Sequence, residues 1–332
     1  MSIAALTTFP VATERSALGR MLHLQCVVCG QPWPSATTSK GASNGCPRCG
    51  FRILKENGIF RCLAPDRAVH FQRFIQDYEL VRSSEGRGSA SPDYYLRLPF
   101  KDLTGRNAWQ WSIRAKTWHH LEKHILRGLA ASYPNGCDIV DIGAGNGWAS
   151  FHLSLRGHRP VAVDLLDNDA DGLGAARHFC NHLPRPFPRF QAEMDRLPFA
   201  QDQFDVAIFN ASFHYAVDYE RTLREVLRCL RRPGHIIILD SPFYYRDESG
   251  QRMLEEKHSA FQRRFGFRSD SIRSQEFLTG EILEALGAKL SLQWKTFKPW
   301  YGWNWALRPF KARLLRRREP SKFYLIWTEV QR

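Results

Sequence analysis

The run Asp138-Ile-Val-Asp141-Ile passes straight into Gly143-Ala-Gly145-Asn-Gly147. A short apolar run closed by glycines reads as a buried strand, and the glycines demand backbone that turns tightly and approaches a neighbour where a Cβ would intrude. A strand that ends in such a turn and continues as a helix opens a crevice at the carboxyl edge of a parallel sheet, where ligands bind. Asp141, two residues before the first glycine, suits a cationic, amine-bearing ligand lying across the turn. A nicotinamide fingerprint, G-x-G-x-x-G, would need glycine where Trp148 stands, which argues against a dinucleotide site.

Downstream, strand-like and helix-like stretches alternate, the pattern of a parallel sheet. Strands are predicted over 138–142, 160–164, 187–191, 204–209 and 235–240, with helices over 148–156, 169–180, 219–231 and 274–286. Two closing strands, 290–297 and 322–329, flank the insertion KPWYGWNWALRPFKARLLRRREP. Ahead of the sheet, helices are predicted over 69–81 and 109–129. The second strand ends in Val161-Ala-Val-Asp164, and a carboxylate there can accept two hydrogen bonds from ribose hydroxyls. Then follow Glu193-Met194-Asp195-Arg-Leu197-Pro198-Phe199, Phe204-Asp205, Glu225-Val-Leu-Arg228 and Arg232-Pro233-Gly234.

In this order the motifs resemble those of class I S-adenosylmethionine-dependent methyltransferases, in the group that includes the quinone-biosynthesis C-methyltransferases (the methyltransferase type 11 pattern). The resemblance runs from about Trp109 to the end of the chain. It implies an α/β fold, a Rossmann-like seven-stranded sheet with helices on both faces, and S-adenosyl-L-methionine as cofactor. It further implies that Asp141, Gly143, Ala144, Gly145 and Gly147 line the methionine part of the cofactor and that Asp164, with Leu165, holds the ribose. Glu193 takes the position that contacts the adenine amino group, beside Met194, with Asp195 the competing choice. His235 departs from the pattern, which has a second glycine there. The loop Asn210-Ala-Ser212-Phe-His214 borders the methyl group in this fold. Asn210 is a candidate to orient acceptor or cofactor. His214 is a candidate base, or a residue that merely packs nearby. Arg114 and Trp111 either cap the cofactor or form an apolar stripe beside an exposed cation.

Four of the eight cysteines form the pairs Cys26-x-x-Cys29 and Cys46-x-x-Cys49. That spacing fits a four-cysteine zinc ribbon, each pair bending on a Cys-x-x-Cys-Gly knuckle. Four thiolates close a tetrahedral site, so the expected Zn2+ is structural. Cys62 is either a replacement ligand or a small buried hydrophobe. Glu56-Asn57-Gly58 between two β-prone runs predicts a hairpin beside the cysteines. The expected organisation is a flexible N-terminus (1–20), the ribbon (21–65), a linker and helical cap (66–125), and the methyltransferase domain (126–332) with an insertion at 298–320.

Net charge is +14, and from Lys289 onward eleven basic residues face two acidic ones. The insertion interleaves this charge with Trp300, Tyr301, Trp303 and Trp305. Such a stretch suits single-stranded RNA, an anionic lipid surface, or a lid whose tryptophans pack on the sheet. No apolar run approaches the roughly 18 residues of a bilayer span, and no signal peptide is read, so a cytoplasmic enzyme is expected. The acceptor stays open. A small molecule or a lipid- or glycan-linked acceptor leads, since the Asn-Pro-Pro-Tyr of base-methylating enzymes is missing after the fourth strand. RNA is the alternative, and a non-catalytic RNA- or partner-binding protein that keeps the fold is the third reading.

Overall fold

The computed structural model describes residues 22–33, 45–268 and 271–331; the N-terminal stretch expected to be flexible lies outside them. Among the described residues the strands are β1 (Leu54–Glu56), β2 (Ile59–Arg61), β3 (Asp138–Ile142), β4 (Arg159–Asp164), β5 (Arg189–Gln191), β6 (Phe204–Asn210), β7 (Leu230–Phe243), β8 (Lys295–Phe297) and β9 (Lys322–Val330). The helices are α1 (Pro65–Ser84), α2 (Pro92–Leu96), α3 (Ala108–Leu121), α4 (Arg127–Ser132), α5 (Trp148–Leu155), α6 (Arg177–Cys180), α7 (Tyr219–Cys229), α8 (Asp247–Phe265), α9 (Gly280–Leu290), α10 (Trp303–Ala306) and α11 (Arg308–Leu314).

The strands form one sheet in the order β1-β2-β5-β4-β3-β6-β7-β9-β8. Strands β5, β4, β3, β6 and β7 are parallel, while β9 joins antiparallel to both β7 and β8. Those seven strands are the sheet expected from the motifs. The other two correct that expectation: the ribbon hairpin does not stand apart, because β2 pairs in parallel with β5 and extends the same sheet.

Side chains alternate across the pleat and divide the core in two. Ile139, Val206, Ile208 and Ile237 pack with α3, α5 and α6, whereas Val140, Ala207, Phe209 and Ile236 pack with α7 and α9. Helices therefore cover both faces, which is why β3, β6 and most of β7 are buried along their length.

Helix 169–180 forms only over its last turn. Asn168 Oδ1 accepts from the N–H groups of Ala170, Asp171 and Gly172 and holds that stretch as a loop, and a Cβ at Gly172 or Gly174 would strike backbone carbonyl oxygens 2.8 Å away. Helix α9 starts six residues later than expected, at a cap in which Thr279 accepts from the Ile282 N–H. Helix α8 was not expected at all. Few of its residues are buried, so it has no apolar stripe to betray it.

Candidate cofactor site and cysteine cluster

The glycine turn wraps the end of β4, with the N–H groups of Gly143 and Ala144 both donating to the Val163 carbonyl. Gly143 has φ +72, and a Cβ there would lie 2.2 Å from Cβ of Ser212. Gly147 starts α5 at φ +84. On the next strand Asp164 is tied to the same turn: Gly145 N–H donates to its Oδ2 (2.7 Å) and Leu166 N–H to its Oδ1 (2.8 Å). Each carboxylate oxygen keeps a lone pair for a further donor.

A cleft opens above these residues at the carboxyl edge of the sheet. Gly143, Ala144, Gly145, Asp164, Leu165, Met194 and Asn210, seven of the expected contacts, line it. Ala192 and Leu166 add apolar wall, and Arg114 reaches in from α3. Two non-glycine residues at this edge adopt positive φ: Ala211 (φ +54), directly after β6, and Asp240 (φ +50), at the matching level of β7. Strain of this kind is kept where a site requires it.

Two buried oxygens at this edge have no hydrogen-bond partner among the described residues. Asn210 Oδ1 is one. The other is Oδ1 of Asp141, whose Oδ2 accepts from Ser150 Oγ (2.7 Å). Burial pushes the Asp141 carboxyl up to about 7 and that of Asp164 up to about 6. An unmatched acceptor in a dry site costs about 1–3 kcal/mol, so both oxygens are poised for a donor. Arg114 is the positive counterpart. It has no carboxylate partner among the described residues, and burial, then the Arg87 and Arg82 charges, lower its guanidinium to about 10.

Four expectations change. Asp141 lies fully buried beneath the glycine turn and does not itself line the cleft. Glu193 does not line the cleft, because Arg67 of α1 grips its carboxylate with three hydrogen bonds of 2.7 to 3.0 Å. The competing Asp195 pairs with Arg221. Of this stretch, Ala192 and Met194 line the cleft instead. His214 lies behind the cleft wall, its ring 3.2 Å from Ser241 Oγ. Burial depresses its imidazole to about 3, far from the pKa a general base needs near neutrality. Gly147 serves the turn into α5 without reaching the cleft surface, its Cβ position facing Phe187 and Ala176.

Sequence reading missed the roof. Phe74, Tyr78 and Arg82, spaced i, i+4, i+8 on α1, line the cleft with Tyr215. Arg82 is ion-paired to Asp171, and the Tyr78 and Tyr215 rings meet edge to face at 5.7 Å. That spacing was the available signal, although the same aromatics also fit an ordinary packed stripe.

The four cysteine sulfurs lie within 4.8 Å of one another, with Cys26 to Cys49 and Cys29 to Cys46 each 3.5 Å. Four thiolates about 2.3 Å from one zinc would stand roughly 3.8 Å apart. The two knuckles are built alike. Gly30 N–H donates to Cys26 O and Gly50 N–H to Cys46 O, with both glycines at positive φ. Cys62 is not part of the cluster and is buried in the core. The first knuckle docks on the loop before β6, through Gln25 N–H to Pro198 O and Ala200 N–H to His23 O.

A glycine turn and a strand-two carboxylate at the carboxyl edge of a sheet of this order define the class of Rossmann-like methyltransferase domains. Residues 140–238 match the family described as "Methyltransferase domain". The fatty-acid O-methyltransferase of Mycolicibacterium smegmatis is 28% identical over 121 residues, 36% of this chain and 43% of that protein. The phosphatidylethanolamine N-methyltransferase of Cereibacter sphaeroides is 24% identical over 172 residues, 51% of this chain and 82% of that one. Thus the chain spans less than half of the former relative. Among solved structures, 1,6-didemethyltoxoflavin-N1-methyltransferase of Burkholderia thailandensis superposes with a TM-score of 0.46 at 17% identity, over 81% of this chain and 93% of that one.

Proposed function

We propose that the protein transfers a methyl group from S-adenosyl-L-methionine to a small-molecule or lipid- or glycan-linked acceptor, and that Cys26, Cys29, Cys46 and Cys49 hold a structural zinc ion. The observation that carries the first part is the meeting, in and beneath one cleft, of unsatisfied acceptors with a cation that has no carboxylate partner among the described residues. A methionine moiety carries both an ammonium and a carboxylate. Asp141 and Asn210 suit the ammonium, Arg114 suits the carboxylate, and Asp164 suits the ribose hydroxyls. Leu165, Leu166, Ala192 and Met194 supply apolar wall for the adenine. When bound, the cofactor supplies an electrophilic methyl group on a sulfonium sulfur. The chain's contribution is to hold an acceptor in line and keep water out, with Tyr78 and Tyr215 roofing the cleft. An acceptor that starts deprotonated needs no base, which agrees with the weak basicity of His214.

Calorimetry with S-adenosylmethionine tests the cofactor, and Asp164→Ala should abolish most of the heat. No heat from the folded wild-type protein would reject the assignment and favour a non-catalytic binding protein. A transfer assay with labelled cofactor on cell extract, fractionated into RNA, lipid and small molecules, tests the acceptor. Label in the lipid or small-molecule fraction is expected, and label confined to RNA would overturn that part. Metal content is read separately, and one zinc per chain is the expected result.

A further inference from the structure

Between β8 and β9 the chain departs from the compact sheet-and-helix body. The base of this segment is anchored. Tyr301 is buried and exchanges a hydrogen bond with Thr117 Oγ1 (2.7 Å), Thr117 donates to Asp240 Oδ1 (2.6 Å), and Lys116 Nζ donates to the Tyr301 carbonyl (2.8 Å). Thr117 and Arg114 stand one turn apart on α3, so the segment is rooted beside the cleft that Arg114 lines. Trp305 packs there too, between Tyr301, Trp109 and Phe323.

The outer part has no such cover. Trp300, Trp303, Leu307, Phe310, Leu314 and Leu315 are all exposed, Trp303 to 75% and Leu314 to 72%. Leu307, Phe310 and Leu314 follow i, i+3, i+7, so α11 presents one apolar stripe to solvent. Packing of the tryptophans on the sheet therefore describes Trp305 alone. Within the segment the charge has a single sign, because no acidic residue occurs from Lys298 to Arg318. Arg318 pairs with Glu256, and Arg308 lies over the Trp305 ring at 3.9 Å. Lys311, Arg313, Arg316 and Arg317 have no carboxylate partner among the described residues, whose ion pairs lie elsewhere.

We propose that residues 300–318 dock the protein on an anionic bilayer surface, and, resting on the methyl-transfer reading above, that the acceptor is a lipid taken up from that surface. The occupant follows from complementarity. Tryptophan, phenylalanine and leucine tips ringed by lysine and arginine match the boundary between anionic headgroups and acyl chains. Single-stranded RNA would use the aromatic rings and the cations, but it gains nothing from exposed Leu307, Leu314 and Leu315. A second copy of this chain would bring like charge against like charge. Among the described residues no helix is long and apolar enough to cross a membrane, so the contact is one of lying on the surface.

Vesicle flotation tests the proposal on the full chain, with phosphatidylcholine vesicles alone or mixed with phosphatidylglycerol. The protein should float with the anionic vesicles. Phe310→Ser with Leu314→Ser should weaken partitioning roughly tenfold or more. Arg313→Gln, Arg316→Gln and Arg317→Gln together should weaken it on the order of fivefold per charge, only on anionic vesicles. Both variants should keep the wild-type heat with S-adenosylmethionine, which excludes misfolding as the cause. Absence of flotation, or flotation that neither variant reduces, overturns the proposal. So does binding of single-stranded RNA that both variants lose while vesicle binding is unchanged. Vesicle binding without cofactor heat would reject the methyl-transfer reading while leaving the docking surface in place.

Discussion

Asp141 is fully buried beneath the glycine turn, and its ionisation is the most sensitive quantity at the residue scale. Between the ordinary value of 3.8 and the folded value of about 7, the native chain holds a proton that the unfolded chain has released. Folding stability of the free protein therefore falls as pH rises through that window. A cation beside Asp141 reverses the preference. Cofactor affinity should climb by roughly tenfold per pH unit up to about pH 7 and then level off. Calorimetry across that range checks it, and Asp141→Asn should flatten the profile; a wild-type profile already flat would refute the role given to this carboxylate. Glycine at 143 allows a cleaner comparison. Gly105 shares its conformation (φ +70) but has open space where a Cβ would go. Gly105→Ala should cost about 1 kcal/mol from strain alone, whereas Gly143→Ala, facing Ser212, should cost about 3 kcal/mol or more. Denaturant unfolding reads both, and equal costs would mean that the close approach at 143 is relaxed. Gly143, Gly145, Gly147 and Asp164 were legible because their chemistry is local to one turn. The fate of Glu193 was not, because Arg67 lies 126 residues away in sequence. Phe204-Asp205 and Glu225-x-x-Arg228 were legible as a pattern but not as a purpose. Arg231 bridges Asp205 to Asp138 (2.8 Å each), and Glu225 with Arg228 pins the Leu197–Phe199 loop.

At the scale of elements, α1 couples the cysteine cluster to the cleft. It begins three residues after Cys62 and carries Arg67 onto Glu193 and Phe74, Tyr78 and Arg82 onto the cleft. The ribbon has little core of its own, and Leu22, Leu24, Val27 and Ile53 pack only partly buried against the sheet. Removing metal with a strong chelator, or making Cys46→Ser, should lower Tm and weaken S-adenosylmethionine binding by about tenfold, because the helix that roofs the cleft loses its fixed start. An undisturbed cofactor isotherm in metal-free protein would show that α1 is held by Arg67 and Arg82 alone. Most strands and α7 were legible because they bury one face at a regular period. α8 and the loop that replaced the first part of helix 169–180 were not, since a largely exposed helix and an asparagine-capped loop leave no such period.

For the molecule as a whole, the order of the strands decides how the two cysteine knuckles matter. Without β1 and β2 the sheet would end at β5, a three-residue strand with an open parallel edge. The hairpin closes it: Ile59 is fully buried, Phe60 stacks on Phe190 at 4.7 Å, and Cys62 N–H donates to Gln191 O. A ribbon read from cysteine spacing alone looks like an appendage, because strand pairing across 130 residues has no signature in local pattern. A protein beginning at Pro65 would therefore lose both an edge strand and the cover over Phe190 and Phe199, and should associate further through β5 and melt less cooperatively than the full chain. Light scattering and thermal melting of that truncated chain read the outcome. A shortened protein that stays dispersed and melts like the full chain would show that the methyltransferase sheet closes its own edge and that the cysteine hairpin is an attached domain.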